Sequence, residues 1–104
     1  MNEAVLILST AGSPEEAARL AEALVAERLA ACVQVSPVES WYRWEGRVER
    51  ATEQRLEIKT RAGLASAAID RLQALHSYAV PEAVVVPIAG GSDAYLNWLN
   101  NETG

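Results

Sequence analysis

Cysteine is nearly absent, since Cys32 is the only one in 104 residues. One cysteine cannot form an intrachain disulfide, which excludes the disulfide-framework class and favours a reducing compartment. Long apolar runs are also missing, because no stretch reaches the roughly 18 residues of a membrane-spanning helix. The first residues, Met1 to Glu3, lack the positive charge of a signal peptide. We therefore expect a cytoplasmic protein.

Basic residues are few, with 9 Lys and Arg against 14 Asp and Glu, giving a net charge of −5. Such a chain repels phosphate backbones and anionic lipids, so neither nucleic acid nor a membrane is an expected partner. A length of 104 residues fits one domain with one core, and residues 1–104 are predicted to form it.

The first half of the chain predicts a strand, a helix and a hairpin. Residues 4–8 form an apolar run that predicts a buried strand, closed by a loop over residues 9–12. Ser13, Pro14 and Glu16 predict a helix start with a capping box. The spacing predicts a buried helix face, made of Ala17, Leu20, Ala21, Leu24, Val25 and Leu29. Pro37 predicts an irregular second strand at an edge or bulge, and residues 45–46 predict a hairpin turn.

The second half predicts a helix, a strand and a terminal helix. Residues 55–60 alternate as in a strand with one exposed face, and a helical stripe from Leu64 to Leu75 ends near His76. Residues 83–88 predict a buried strand, and Ser92 predicts the cap of a last helix. The order βαββαβ plus a C-terminal helix predicts an α+β, ferredoxin-like fold.

Several functions of this fold are excluded by the motifs. The third strand carries no aromatic platform for RNA, and residues 9–14 contain no Cys-x-x-Cys pair for a soft metal. Only Cys32 and His76 are available as a nucleophile and base, so an enzyme is not predicted. A lone cysteine such as Cys32 is more often a small buried residue on a strand. His76, at a helix C-terminus, can instead interact with the helix dipole or tie off late helix carbonyls.

A series of motifs resembles the CutA divalent-cation tolerance family over nearly the whole chain. It comprises residues 27–33, 42–46, 75–82 and 95–99, with Pro37, Ser40, Glu53, Lys59, Thr60, Pro87 and Ile88. The resemblance implies a PII-like homotrimer of ferredoxin-like subunits that binds copper or another divalent ion, with no obligatory cofactor. The chain departs from the family at Ser9, where some copper-binding members have cysteine, and at Ser77, where the familiar motif has proline.

The resemblance also suggests where ligands bind. His76, Cys32 and Glu82 are the candidate metal ligands, brought together between copies in a trimer. Lys59 is a candidate for binding an anionic metabolite, as in a PII-like signalling protein, with a surface salt bridge as the alternative for Lys59 and Glu82. The remaining candidates for the pocket or subunit interface are aromatic: Tyr42, Trp44, Tyr78, Tyr95 and Trp98.

Overall fold

The computed structural model describes residues 3–104. Met1 and Asn2, two of the residues used above to judge a signal peptide, lie outside the described residues. The predicted order of elements is confirmed. The strands are β1 (Ala4–Ala11), β2 (Cys32–Trp44), β3 (Arg47–Arg61) and β4 (Val84–Pro87), and the helices are α1 (Pro14–Ala26), α2 (Ala65–Leu75) and α3 (Asp93–Asn101). A 3-10 turn at Ala62–Leu64 leads into α2. No helix in this part of the chain has the length and apolar character to cross a membrane.

The four strands form one antiparallel sheet in the order β2-β3-β1-β4. Alternate residues of β1 and β3 face α1 and α2, so Ile7 and Ile58 pair across the ladder inside the core. The core is completed by helix residues at helical spacing, including Ala17, Leu20, Leu24, Ala68 and Leu72. Val25, predicted to share this face, is instead 43% exposed because it lies at the margin of the α1 stripe.

Helix α1 begins as the sequence predicted, with one difference. The Ser13 hydroxyl accepts a hydrogen bond from the Glu16 N–H at 3.1 Å, and Pro14 occupies the first turn. The Glu16 carboxylate, however, does not return to the Ser13 N–H as in a capping box. It accepts from the N–H of Gly12 at 3.4 Å and reaches beyond the helix, which makes Glu16 a connector between elements.

Strands β2 and β3 form a long hairpin that runs without interruption from Cys32 opposite Lys59 to Trp44 opposite Arg47. The prediction of an irregular second strand is therefore wrong, while its placement at an edge is confirmed. Proline at position 37 is tolerated because a residue on an edge strand can turn its nitrogen away from the ladder. Glu45 and Gly46 form the turn with φ of 51° and 78°, as a two-residue hairpin turn requires.

Strands β1 and β4 correct two further predictions. β1 extends through Ala11 rather than ending at Leu8, because Ser9 to Ala11 continue the ladder with β3. β4 was predicted to be buried, but its four residues are all exposed, with Val84 at 50%. β4 is the second edge of the sheet, and an apolar run alone does not reveal whether a strand is covered on both faces.

Helix α3 packs on the sheet face opposite α1 and α2. Lys59, which alternates with core residues of β3, lies over the Tyr95 ring at 5.5 Å, and Leu99 is buried. The end of the chain is held by two arginines. Arg61 donates to the Thr103 hydroxyl and carbonyl, and Arg28 donates to the carbonyls of Asn101 and Gly104.

Candidate functional site

The most connected group of polar side chains lies where the loop after α2 meets β1 and β3. His76 caps the C-terminus of α2, directly after Leu75, and its side chain is fully buried. Its Nε2 lies 2.7 Å from the Thr10 carbonyl oxygen, and its Nδ1 lies 3.0 Å from the Tyr78 N–H nitrogen. A carbonyl can only accept and an N–H can only donate, so Nε2 carries the hydrogen and Nδ1 accepts. Neither nitrogen has a lone pair left for a metal ion.

Glu16 joins this loop to the start of α1. Its Oε2 accepts from the Ser77 N–H at 2.8 Å and lies 3.6 Å from His76 Nδ1. Burial raises the pKa of this carboxyl, but hydrogen bonds from Ser77 and Gly12 and the nearby His76 ring outweigh burial, so the pKa lies below its usual value. The donor at position 77 exists because serine, unlike proline, has a backbone N–H.

Tyr78 extends the group to β3. Its hydroxyl donates to Glu53 Oε2 at 2.7 Å, and its ring packs on His76 with centroids 4.7 Å apart. Burial, together with the hydrogen bond and the charge of Glu53, raises the pKa of Tyr78 well above its usual value. Gly12 keeps this contact open, since a Cβ there would meet the Tyr78 hydroxyl at 3.2 Å.

The predicted metal ligands are spread over one chain. Cys32 is partly exposed and pairs with Lys59 of β3. His76 contacts Thr10, which pairs with Arg55 of β3. Lys59 and Arg55 are four residues apart along the strand, so Cys32 and the contact of His76 are separated by about 13 Å in the strand direction. Among residues 3–104, no three His, Cys, Asp or Glu side chains form a group that could hold a metal ion. The ring of His76 does not tie off α2 carbonyls either, since both its nitrogens bond elsewhere.

The predicted pocket residues divide into two places. Tyr42, Trp44, Tyr78 and Glu82 line one cleft, whereas Lys59, Tyr95 and Trp98 lie at α3. Sequence reasoning assigned Glu16 only to the start of α1 and Glu53 only to the motif series, although both side chains are buried, at 7% exposure, and are central to the network. The one local sign of this network in the sequence was Ser77, because serine has a backbone N–H to donate where the familiar motif has proline.

The comparisons with known proteins agree with this architecture. Residues 5–102 match the CutA1 divalent ion tolerance protein family. A Thermus thermophilus protein named divalent-cation tolerance protein CutA is 48% identical over 105 residues, covering 100% of both chains. The structure of CutA from Xylella fastidiosa matches with a TM-score of 0.95 at 45% identity, covering 98% of this chain and 99% of that one.

A plant relative is longer. An Arabidopsis thaliana protein named Protein CutA, chloroplastic, is 44% identical over 100 residues, covering 95% of this chain and 55% of that protein. This chain thus spans about half the length of the plant relatives it matches. The family match covers nearly all of the chain, and the predicted resemblance is confirmed. The chain belongs to the CutA1 divalent ion tolerance family.

Proposed function

We propose that this chain is a divalent-cation tolerance protein that acts as a homotrimer in the cytoplasm, is not an enzyme, and binds copper or another divalent ion between its copies. The observation that carries the proposal is the family match over residues 5–102. The family is named for tolerance of ions and not for a reaction, which supports a binding role.

Assembly is supported by the outer part of the β2–β3 hairpin. β1 ends at Ala11 opposite Gln54, so the hairpin beyond this point, residues 38–53, has only two strands. Trp41 is 63% exposed and Val48 66% exposed there. Two strands alone are marginally stable in water, and exposed aromatic residues are typical of interfaces. A neighbouring copy that covers this hairpin would account for both features.

The ion would have to bind between copies, because the described residues of one chain do not offer enough ligands. Cys32 is partly exposed and Glu82 is exposed, so both are available to a neighbour. His76 is available only if Nδ1 releases the Tyr78 N–H. Thiolate and imidazole donors favour copper over harder ions, which makes copper the first ion to test.

Native mass spectrometry during a copper titration tests the proposal. We expect a trimer that takes up a fixed number of copper ions, and lower uptake for Cys32→Ser and Glu82→Gln. His76→Gln is the third variant, and Glu15→Gln on the exposed start of α1 is the matched control. A monomer would disprove the assembly. Uptake without saturation would disprove a defined copper site.

An anionic metabolite at Lys59 is the alternative implied by the PII-like resemblance. Its ammonium group is already engaged over the Tyr95 ring, and no lysine or arginine lines the cleft at Tyr42 and Tyr78. No contact among residues 3–104 favours an anion site there. A thermal-shift screen with nucleotides and organic anions would restore this alternative if one of them raised the melting temperature of the protein and not that of Lys59→Met.

The cytoplasm is the placement that the sequence predicts, and it also needs a direct test. The name of the Arabidopsis relative places that protein in the chloroplast, so membership of the family does not by itself assign a compartment. Fractionation of the native cell with an antibody to the chain would decide the matter. Recovery in another compartment would disprove this part of the proposal.

A further inference from the structure

The loop between α2 and β4 carries Glu82, one of the candidate ligands for an ion held between copies. The loop is fixed at its start, where the Tyr78 N–H donates to His76 Nδ1 at 3.0 Å and the Tyr78 hydroxyl donates to Glu53 Oε2 at 2.7 Å. In the described part of the chain, residues 79–82 make no hydrogen bond of their own. The place of Glu82 therefore depends on this anchor and on the start of β4.

His76 is the buried centre of the anchor. No part of its side chain is exposed, and its ring packs on the Tyr78 ring with centroids 4.7 Å apart. Nε2 donates to the Thr10 carbonyl at 2.7 Å, so Nδ1 is the nitrogen with the lone pair, and the Tyr78 N–H occupies it. A neighbouring copy cannot reach this ring while the loop keeps its position.

The second ring nitrogen distinguishes His76 from a metal ligand. A histidine that binds a metal commonly donates its other ring N–H to a carbonyl, as His76 does to Thr10, but it keeps the first nitrogen open. Here an ion could reach Nδ1 only if Tyr78 left its position. The loop would then lose the contacts that fix it, and Glu82 with it.

The other two candidate ligands are open to a neighbour, since Cys32 is partly exposed and Glu82 is exposed. We infer that His76 is a positioning residue of the ion site and not one of its ligands, an inference that rests on the proposed function. The ring holds Tyr78 and, through Tyr78, the loop that presents Glu82. A ligand that is held in place before binding loses less conformational entropy when the ion binds.

NMR of the assembled protein tests whether the ring binds an ion. His76 is the only histidine in the sequence, so ring-nitrogen signals from isotope-labelled histidine report on it alone. Zinc is the probe, because it is divalent and diamagnetic and accepts thiolate, imidazole and carboxylate ligands. We expect the Nε2–H tautomer before and after saturation with zinc, with the Nδ1 signal unchanged. A zinc-dependent shift of the Nδ1 signal to that of a metal-bound nitrogen would overturn the inference.

Copper titrations followed by native mass spectrometry separate positioning from ligation. His76→Leu removes the acceptor for Tyr78, and we expect it to weaken copper binding about tenfold. His76→Asn has no imidazole but places an oxygen where Nδ1 stands, so it should restore binding to within about threefold of the parent. Gln73→Leu, at an exposed position of α2, is the control and should change the affinity by less than about twofold. Equal losses in the leucine and asparagine variants would indicate ligation instead.

A double variant tests whether His76 acts through Glu82. In the Glu82→Gln background, His76→Leu should weaken copper binding by less than about twofold, because the ligand that it positions is already gone. A loss as large as in the parent background would show that His76 only supports the fold, which would also overturn the inference.

The outcomes separate this inference from the proposed function. If the parent bound neither copper nor zinc, the proposed ion site itself would be wrong, and the positioning role would fall with it. If the parent bound an ion and the Nδ1 signal shifted, the positioning role alone would be wrong. The zinc spectra need no variant, so they decide the point even if His76→Leu does not fold.

Discussion

The hydroxyl of Tyr78 donates a 2.7 Å hydrogen bond to the carboxylate of Glu53, which ties the loop after α2 to strand β3 just beyond the end of β1. Glu53 is 7% exposed, and Tyr78 is its one donor among the described hydrogen bonds. This contact fixes one wall of the cleft relative to the other. The stability of the fold and the shape of the cleft therefore depend on the same pair.

Removal of the Tyr78 hydroxyl should destabilise the fold. Tyr78→Phe leaves the Glu53 carboxylate without its donor, and we expect a loss of about 1–3 kcal/mol in the free energy of unfolding. Urea denaturation at pH 7 measures it. Tyr95→Phe is the control, since the Tyr95 ring is 40% exposed and makes ring contacts only. Equal stability of Tyr78→Phe and the parent would contradict the role of the pair.

Ionisation of Tyr78 should also destabilise the fold at alkaline pH. Its pKa in the folded protein is raised by burial and by Glu53, whereas in the unfolded chain it returns to about 10. The folded state thus holds the proton more tightly, and its advantage is complete below about pH 10 and is lost as pH rises above this value. Urea denaturation from pH 8 to 11 should show the decline, and Tyr78→Phe should show less of it.

Glu16 should make the free energy of unfolding depend on pH in the acid range. Its pKa is lower in the folded state, so its contribution is present above the unfolded value of about 4.3 and is lost as pH falls through the folded value. Glu16→Gln should therefore flatten the decline in unfolding free energy between about pH 5 and 3. Glu15→Gln, which alters the exposed neighbour, serves as the control. An unchanged slope in Glu16→Gln would show that other groups cause the decline.

The donor at Ser77 can be tested separately from the carboxylate. Ser77→Pro removes the N–H that Glu16 Oε2 accepts at 2.8 Å, whereas Ser77→Ala keeps it. We expect the proline variant to lose stability at pH 7 by about 1 kcal/mol, the balance of a lost charged hydrogen bond and a stiffer unfolded chain. The alanine variant should stay near the parent value. Denaturation of the two variants side by side measures the difference, and the same loss in both would implicate the serine hydroxyl instead.

Two buried hydroxyls in the core should be dispensable. Ser9 Oγ and Thr60 Oγ1 are fully buried and have no hydrogen-bond partner within residues 3–104. Because Thr60→Val keeps the shape and removes an unsatisfied polar atom, we expect it to raise the unfolding free energy by about 1 kcal/mol. Thr52→Val, which removes a hydroxyl bonded to Glu39 at 2.7 Å, should not stabilise the protein. Destabilisation of Thr60→Val in thermal and urea unfolding would contradict the prediction.

Local signals in the sequence predicted the fold well. The Ser13 and Ser92 caps accept the N–H bonds that were expected, and the turn at Glu45 and Gly46 joins the predicted strands. These features depend on residues within a few positions of one another. The order of elements follows from them and from the apolar spacing.

Features that depend on distant neighbours were predicted poorly. The exposure of Val84 in β4 depends on which strand lies at the edge, and an apolar run does not encode that. The bonds of Glu16 to Ser77 and of Glu53 to Tyr78 join residues 61 and 25 positions apart, so no local pattern could reveal them. His76 was found as a special residue, but its two hydrogen bonds could be seen only in the structure.

The uneven spacing of the strand pairs along the chain has a consequence for folding order. β2 and β3 are joined by two residues and pair over 13 positions, whereas β4 must return past most of the chain to pair with β1 from Val5 to Leu8. Closing a long loop costs more conformational entropy than closing a short one, so the hairpin should nucleate folding and the β1–β4 seam should form last. By the same reasoning the seam should open first, and the amides of β4 should exchange with solvent faster than those of β3.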